Sequence, residues 1–96
     1  MDIEEIKKVL KDVEDIVRRE FKAEIVGIFG SFAKGEERED SDIDLLVRFQ
    51  RGATLFDLVG LADFLEERLG RKVDVISERA LRDEIREQVM GEIVRL

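Results

Sequence analysis

The stretch from Gly27 to Val47 constrains this chain more than any other. It reads Gly-Ile-Phe-Gly-Ser-Phe-Ala-Lys-Gly-Glu-Glu-Arg-Glu-Asp-Ser-Asp-Ile-Asp-Leu-Leu-Val. An apolar strand, Glu24 to Phe29, runs into Gly30-Ser31. Ser31 to Lys34 forms a helical turn, and Gly35 to Ser41 is a loop with four acids and one arginine. A second strand, Asp42 to Phe49, opens on two aspartates one residue apart. Residues i and i+2 of a strand face the same way, so Asp42 and Asp44 project side by side, with Cα atoms roughly 6.5–7 Å apart. Two parallel carboxylates repel unless a cation lies between them. Hard divalent ions such as Mg²⁺ take these oxygens and share the work with phosphates. Gly30 lets backbone come close to a ligand, and Ser31 offers a hydroxyl and an N–H to an anion.

Two other motifs fail on the residues. A P-loop needs Gly-Lys-Ser/Thr after four residues; Gly30 and Gly35 have the glycine spacing, but Glu36 and Glu37 follow. A calcium loop starting at Asp40 would need Gly and Glu where Leu45 and Arg51 stand. A bland reading, solvated acids in a turn before a core strand, remains open for Asp42 and Asp44 taken alone.

Composition removes further chemistry. The 96 residues contain no His, Cys, Pro, Trp, Tyr or Asn. A Ser-His triad, a thiol nucleophile and an ordinary zinc site are excluded, and acid-base and metal work falls to Asp and Glu. The length fits one small domain, residues 1–96. No apolar run is long enough for a membrane span, and the acidic amphipathic start is unlike a signal peptide; the expected location is the cytoplasm. The net charge of −7, with only six aromatic residues, disfavours direct nucleic-acid binding. Abundant Glu, Lys and Arg without Asn or Cys fits a thermophilic source.

Along the rest of the chain, Ile3, Ile6, Leu10, Val13 and Val17 predict one amphipathic helix over residues 2–21. Thr54 predicts an N-cap and Gly70 a stop for a helix over residues 55–69. Its core stripe is Leu55, Leu58, Ala62, Leu65 and Leu69. Phe56, Val59 and Leu61 exceed that stripe, which implies either deeper burial or a partner surface. A third strand, residues 71–76, carries Asp74 between two valines. That acid either faces solvent from an edge strand or joins a site. Ser77 predicts the N-cap of a last helix with Leu81, Ile85, Val89 and Ile93 on one face. Gly91 is placed to break it, leaving residues 92–96 as a frayed turn or short strand. The order helix, strand, Gly-Ser turn, strand, helix, strand, helix predicts an α/β (α+β) fold, a small mixed sheet backed by helices.

Gly30-Ser31, Gly35 and Ser41-Asp42-Ile43-Asp44-Leu45 together resemble the signature of the DNA polymerase β-like nucleotidyltransferase superfamily, and the short chain most resembles its minimal nucleotidyltransferases. The likeness runs from about Ile25 to Ile76. It implies Mg-dependent transfer of a nucleotide, AMP from ATP, to a hydroxyl. It implies Asp42, Asp44 and Asp74 as the carboxylates binding two Mg²⁺ ions, roughly 3.5–4 Å apart. Asp74 would also take the acceptor's proton. It implies Gly30 and Ser31 as the phosphate holders, assisted by Lys34. Ser41 belongs to the pattern with no role beyond positioning the strand start. The resemblance further implies a separate helical HEPN protein as partner, a toxin whose tyrosine is adenylylated and whose antitoxin is the transferase. The chain is expected to lack an acceptor-recognition segment. Two other readings are a small-molecule nucleotidyltransferase and a non-catalytic binding antitoxin. The base preference and the oligomeric state, including a homo-oligomer, are left open.

Overall fold

The computed structural model describes all residues 1–96. Ile3–Asp12 forms α1 and Glu14–Phe21 forms α2. The single helix expected over residues 2–21 is therefore broken at Val13. There the backbone tightens: the Val13 N–H donates to the Leu10 carbonyl at 3.3 Å. The tighter turn leaves Leu10, Val13 and Val17 all buried against the sheet. Asp2 and Glu5 close a capping box at the helix start.

Ala23–Phe29 is β1, Ser31–Lys34 is α3 and Ile43–Phe49 is β2. Leu55–Leu69 is α4, with the expected bounds, and Gly70 ends it at φ 66°. The Asp57 carboxylate accepts from the Thr54 N–H at 2.8 Å. Val73–Ser77 is β3, Asp83–Glu92 is α5 and Val94–Arg95 is β4. The sheet order is β3-β2-β1-β4. β1 pairs antiparallel with β2 and β4, and β2 pairs parallel with β3 across the α4 crossover.

Ile43, Leu45 and Val47 face α1, α2 and α4 in the main core, while Leu46 joins Val26 and Leu81 on the opposite face. This burial of both faces is what the apolar run of β2 predicts for a central strand. A bulge between Ile25 and Gly27 resets the alternation of β1, so Ile25 and Ile28 both reach the main core while Val26 points to the other side.

Four further expectations need correction. Leu55 is 73% exposed, and Leu61 takes the core place, with Leu65 and Leu69. The α4 stripe is thus rotated from the predicted one, because the helix must turn Leu61 toward a sheet whose position the sequence does not reveal. Ser77 does not cap α5. It ends β3, a 3₁₀ turn follows at Glu78–Ala80, and α5 starts only at Asp83. Leu81 is buried before the helix begins, so it does not share a helical phase with Ile85, which is 46% exposed. Gly91 does not break α5, which continues to Glu92. The short terminal strand does form: Val94 and Arg95 lie against Ile28 and Gly27. A Cβ at Gly27 would stand 2.6 Å from the Val94 carbonyl oxygen.

Candidate active site

β1 ends, and β2 and β3 begin, at one end of the sheet. Phe29 is opposite Asp44 in one ladder, and Asp44 is opposite Asp74 in the other. Directly paired residues of neighbouring strands share a face. Asp44 and Asp74 therefore stand together on the face that also carries Leu46 and Ile76, away from the main core. β3 is an edge strand, and on it Asp74 lies directly opposite Asp44 of β2. Asp42 lies just outside β2, which starts at Ile43.

The electrostatics follow from this packing. Burial pushes the Asp44 carboxyl up, and the charges of Asp74 and Asp42 add to it, as does a hydrogen bond shared with Asp74; the result is about 6. No positive side chain is salt-bridged to any of the three aspartates. Adjacent carboxylates without a protein cation beside them are a donor set that fits a hard cation. The three do not converge into a ready-made cage. Mg²⁺ does not require one, since it keeps several waters and combines one or two carboxylates with substrate phosphates.

Gly30 completes the near wall. Its φ is 76°, and a Cβ there would overlap the Asp44 carboxylate oxygen and lie 3.1 Å from Asp44 Cγ. Only glycine combines that backbone with that contact. Ser31 heads α3, a single helical turn whose Phe32 is buried in the main core. The first N–H groups of such a turn have no partner within it. Lys34 is directed elsewhere: its Nζ is 3.6 Å from the Glu92 carboxylate on α5. The structure thus brings together Gly30, Asp44 and Asp74, sets Asp42 and Ser31 on the adjoining segments, and pairs Lys34 with α5. Ser41 folds the loop back, its hydroxyl accepting from the Arg38 N–H at 2.7 Å.

Arg71 is the neighbour that sequence reading passes over. Its Nη1 donates to the carbonyls of Glu39 at 2.7 Å and Ser41 at 3.0 Å, and its guanidinium lies 5.4 Å from the Phe32 ring centre. An arginine directly after a helix stop looks like any solvated charge, so no local signal marks it. None of the four surface cavities is lined by Gly30, Ser31 or the three aspartates. The site is an open ledge.

The exposed apolar patch is elsewhere. Leu55, Phe56 (88% exposed) and Val59 start α4, just beyond the far end of β2. The seven-residue strand between them and the carboxylates spans about 20 Å.

Comparison with known proteins places the chain in a family. Residues 6–96 match the family described as Nucleotidyltransferase domain. The protein adenylyltransferase MntA of Thermococcus cleftensis is 36% identical over 92 residues, 96% of this chain and 93% of that protein. A solved structure described as a candidate minimal nucleotidyltransferase aligns with a TM-score of 0.86 at 45% identity, covering 100% of this chain and 97% of that one. The fold is also shared, at 20% identity and a TM-score of 0.65, with a chain from the complex of a tri-AMPylated Shewanella oneidensis HEPN toxin and its MNT antitoxin; 94% of this chain and 70% of that chain are covered.

Proposed function

Since the chain belongs to the nucleotidyltransferase domain family and is an enzyme of that class, we propose that it is the antitoxin of a toxin–antitoxin pair and adenylylates its partner. The reaction is Mg²⁺-dependent transfer of AMP from ATP to a tyrosine hydroxyl on a separate helical HEPN protein. The observation that carries this reading is the juxtaposition of Asp44 and Asp74 beside Gly30, with no protein cation between them. The naming of the Thermococcus relative as a protein adenylyltransferase supports the acceptor class. The AMPylated toxin held by a chain of this fold supports the partner.

Asp42, Asp44 and Asp74 would hold two Mg²⁺ ions, which when bound neutralise charge at the attacked phosphate and the leaving pyrophosphate. The acceptor oxygen forms a bond to the α-phosphorus, and the α–β bridging bond breaks. Asp74, on the edge strand, would accept the hydroxyl proton. Gly30 permits close approach of the phosphates to backbone, and the Ser31 N–H and hydroxyl bind them. Lys34 can join them only by leaving Glu92. Such chemistry rests mainly on positioning, and an open ledge has no wall to hold an acceptor. A docked protein would supply that wall. The Phe56 patch, about 20 Å from the carboxylates, would grip such a partner without placing its hydroxyl.

The test mixes this protein with the product of the adjacent reading frame, Mg²⁺ and α-labelled ATP, and weighs that product. A gain of one or more AMP groups, abolished by Asp74→Ala, is expected. Label on a small alcohol instead would indicate a small-molecule transferase. Neutralisation of the partner without any mass gain would indicate a binding antitoxin.

A further inference from the structure

Asp44 is held by hydrogen-bonded strands on both sides, but Asp42 is not. β2 begins at Ile43, whose N–H donates to the Lys72 carbonyl at 2.9 Å. Asp42 therefore inherits its position from the loop before it. That loop has little to fix itself: the Ser41 N–H to the Arg38 carbonyl at 3.0 Å and the Arg38 N–H to the Ser41 hydroxyl close one small turn. What anchors that turn to the domain is Arg71. One guanidinium nitrogen donates to the carbonyls of Arg38 (3.5 Å), Glu39 (2.7 Å) and Ser41 (3.0 Å). The same group packs over Phe32, which is 2% exposed and next to Ser31. Arg71 also stands two residues before β3, the strand of Asp74. One side chain thus touches the turn carrying Ser31 and the loop delivering Asp42, from the segment that leads to Asp74.

We propose that Arg71 is a positioning residue for the active site: its guanidinium sets where Asp42 stands relative to Ser31 and Asp74, without touching substrate. This rests on the site proposed above. Arginine suits this place: its guanidinium lies 5.4 Å from the Phe32 ring centre while the same group donates to the loop carbonyls, a combination that a lysine ammonium, a point charge on a flexible stem, reproduces poorly. Removing such a support from an ion-binding side chain typically costs about 10–100-fold in affinity.

Two measurements test it. In metal-free protein, amide hydrogen exchange is compared between wild type and Arg71→Met, which keeps an apolar stem over Phe32. Faster exchange is expected at Arg38 and Ser41, with Ile43 and the β2 amides unchanged. Unchanged exchange at Arg38 and Ser41 overturns the inference whatever the site binds. The second is a double-mutant cycle, read as ATP affinity by calorimetry at fixed Mg²⁺. Arg71→Met and Asp42→Asn are each expected to weaken binding by about 10–100-fold. The double variant should bind about as weakly as Asp42→Asn alone, because Arg71 acts through Asp42. Arg71→Lys should fall between wild type and Arg71→Met. Losses that multiply in the double variant, or wild-type affinity in Arg71→Met, overturn the inference. Wild-type affinity in Asp42→Asn would instead overturn the site itself.

Discussion

At the scale of single residues, Asp44 bears the tension of the site. Its carboxyl is held at about 6, against 3.8 for a free aspartate. Between those values the folded chain keeps the proton that the unfolded chain has released. Stability from this group is therefore complete below about pH 4 and lost as pH rises through about 6. Each pKa unit corresponds to about 1.4 kcal/mol. The carboxyl is only partly buried and is screened by solvent, so the realised loss is about 1–2 kcal/mol. In EDTA, Asp44→Asn should remove this component from urea unfolding followed between pH 4 and 7, and at pH 7 the variant should be as stable as wild type or more so. A wild-type pH slope in the variant, or a large loss of stability at pH 7, would mean that Asp44 has a structural partner of its own. The Arg48–Glu78 contact at 2.8 Å works in the opposite direction, since Arg48 holds the Glu78 carboxyl down. Only the difference between wild type and variant isolates Asp44.

At the scale of elements, α4 serves two environments along one helix. Leu61, Leu65 and Leu69 are buried against β2 and β3, and Phe64 packs on Phe21 of α2 with ring centres 5.4 Å apart. Its first turns expose Leu55, Phe56 and Val59. Leu61→Ala should cost about 2–5 kcal/mol in unfolding free energy, because a fully buried leucine leaves a cavity. Phe56→Ser with Val59→Ser should cost less than about 1 kcal/mol, the range of surface changes, while weakening capture of the helical partner. Thermal melts and a binding assay on the same samples separate the two effects. If the surface pair melts as early as Leu61→Ala, the patch is covered within the fold and is no docking surface. The stripe is the lesson of this element: periodicity identifies a helix and its bounds, but the surplus of apolar residues leaves its rotation undetermined.

At the scale of the molecule, the sheet separates a charged end from an apolar end. The carboxylates gather where β2 and β3 begin; the α4 patch lies beyond the far end of β2. A ligand at the charged end relieves repulsion that folding creates, so it should stabilise the whole domain. Mg²⁺ with ATP at about 100 times its dissociation constant should add about 2.7 kcal/mol. For a domain of this size that is a rise in Tm of about 10–20 °C. Differential scanning calorimetry with ATP should show the rise with Mg²⁺, its loss on adding EDTA and its loss in Asp42→Asn. An equal rise in Asp42→Asn would put the nucleotide elsewhere on the chain. No helix of the chain is long and apolar enough to cross a membrane.

The elements and most of the site's residue types are local properties, and the sequence determined them. The caps at Thr54 and Gly70 and the Gly30-Ser31 turn each depend on neighbours a few residues away. Contacts between distant segments were decided by the tertiary structure alone. The first helix is broken at Val13, with Ile6 and Leu10 before the break and Val17 after it buried in one core, and Leu81 is buried before α5 starts. Asp74 stands opposite Asp44 because α4 returns β3 parallel to β2 in that register. Arg71 reaches carbonyls about thirty residues away in the chain. Register and long-range hydrogen bonds are set by how whole elements pack, and no window of local sequence contains that information.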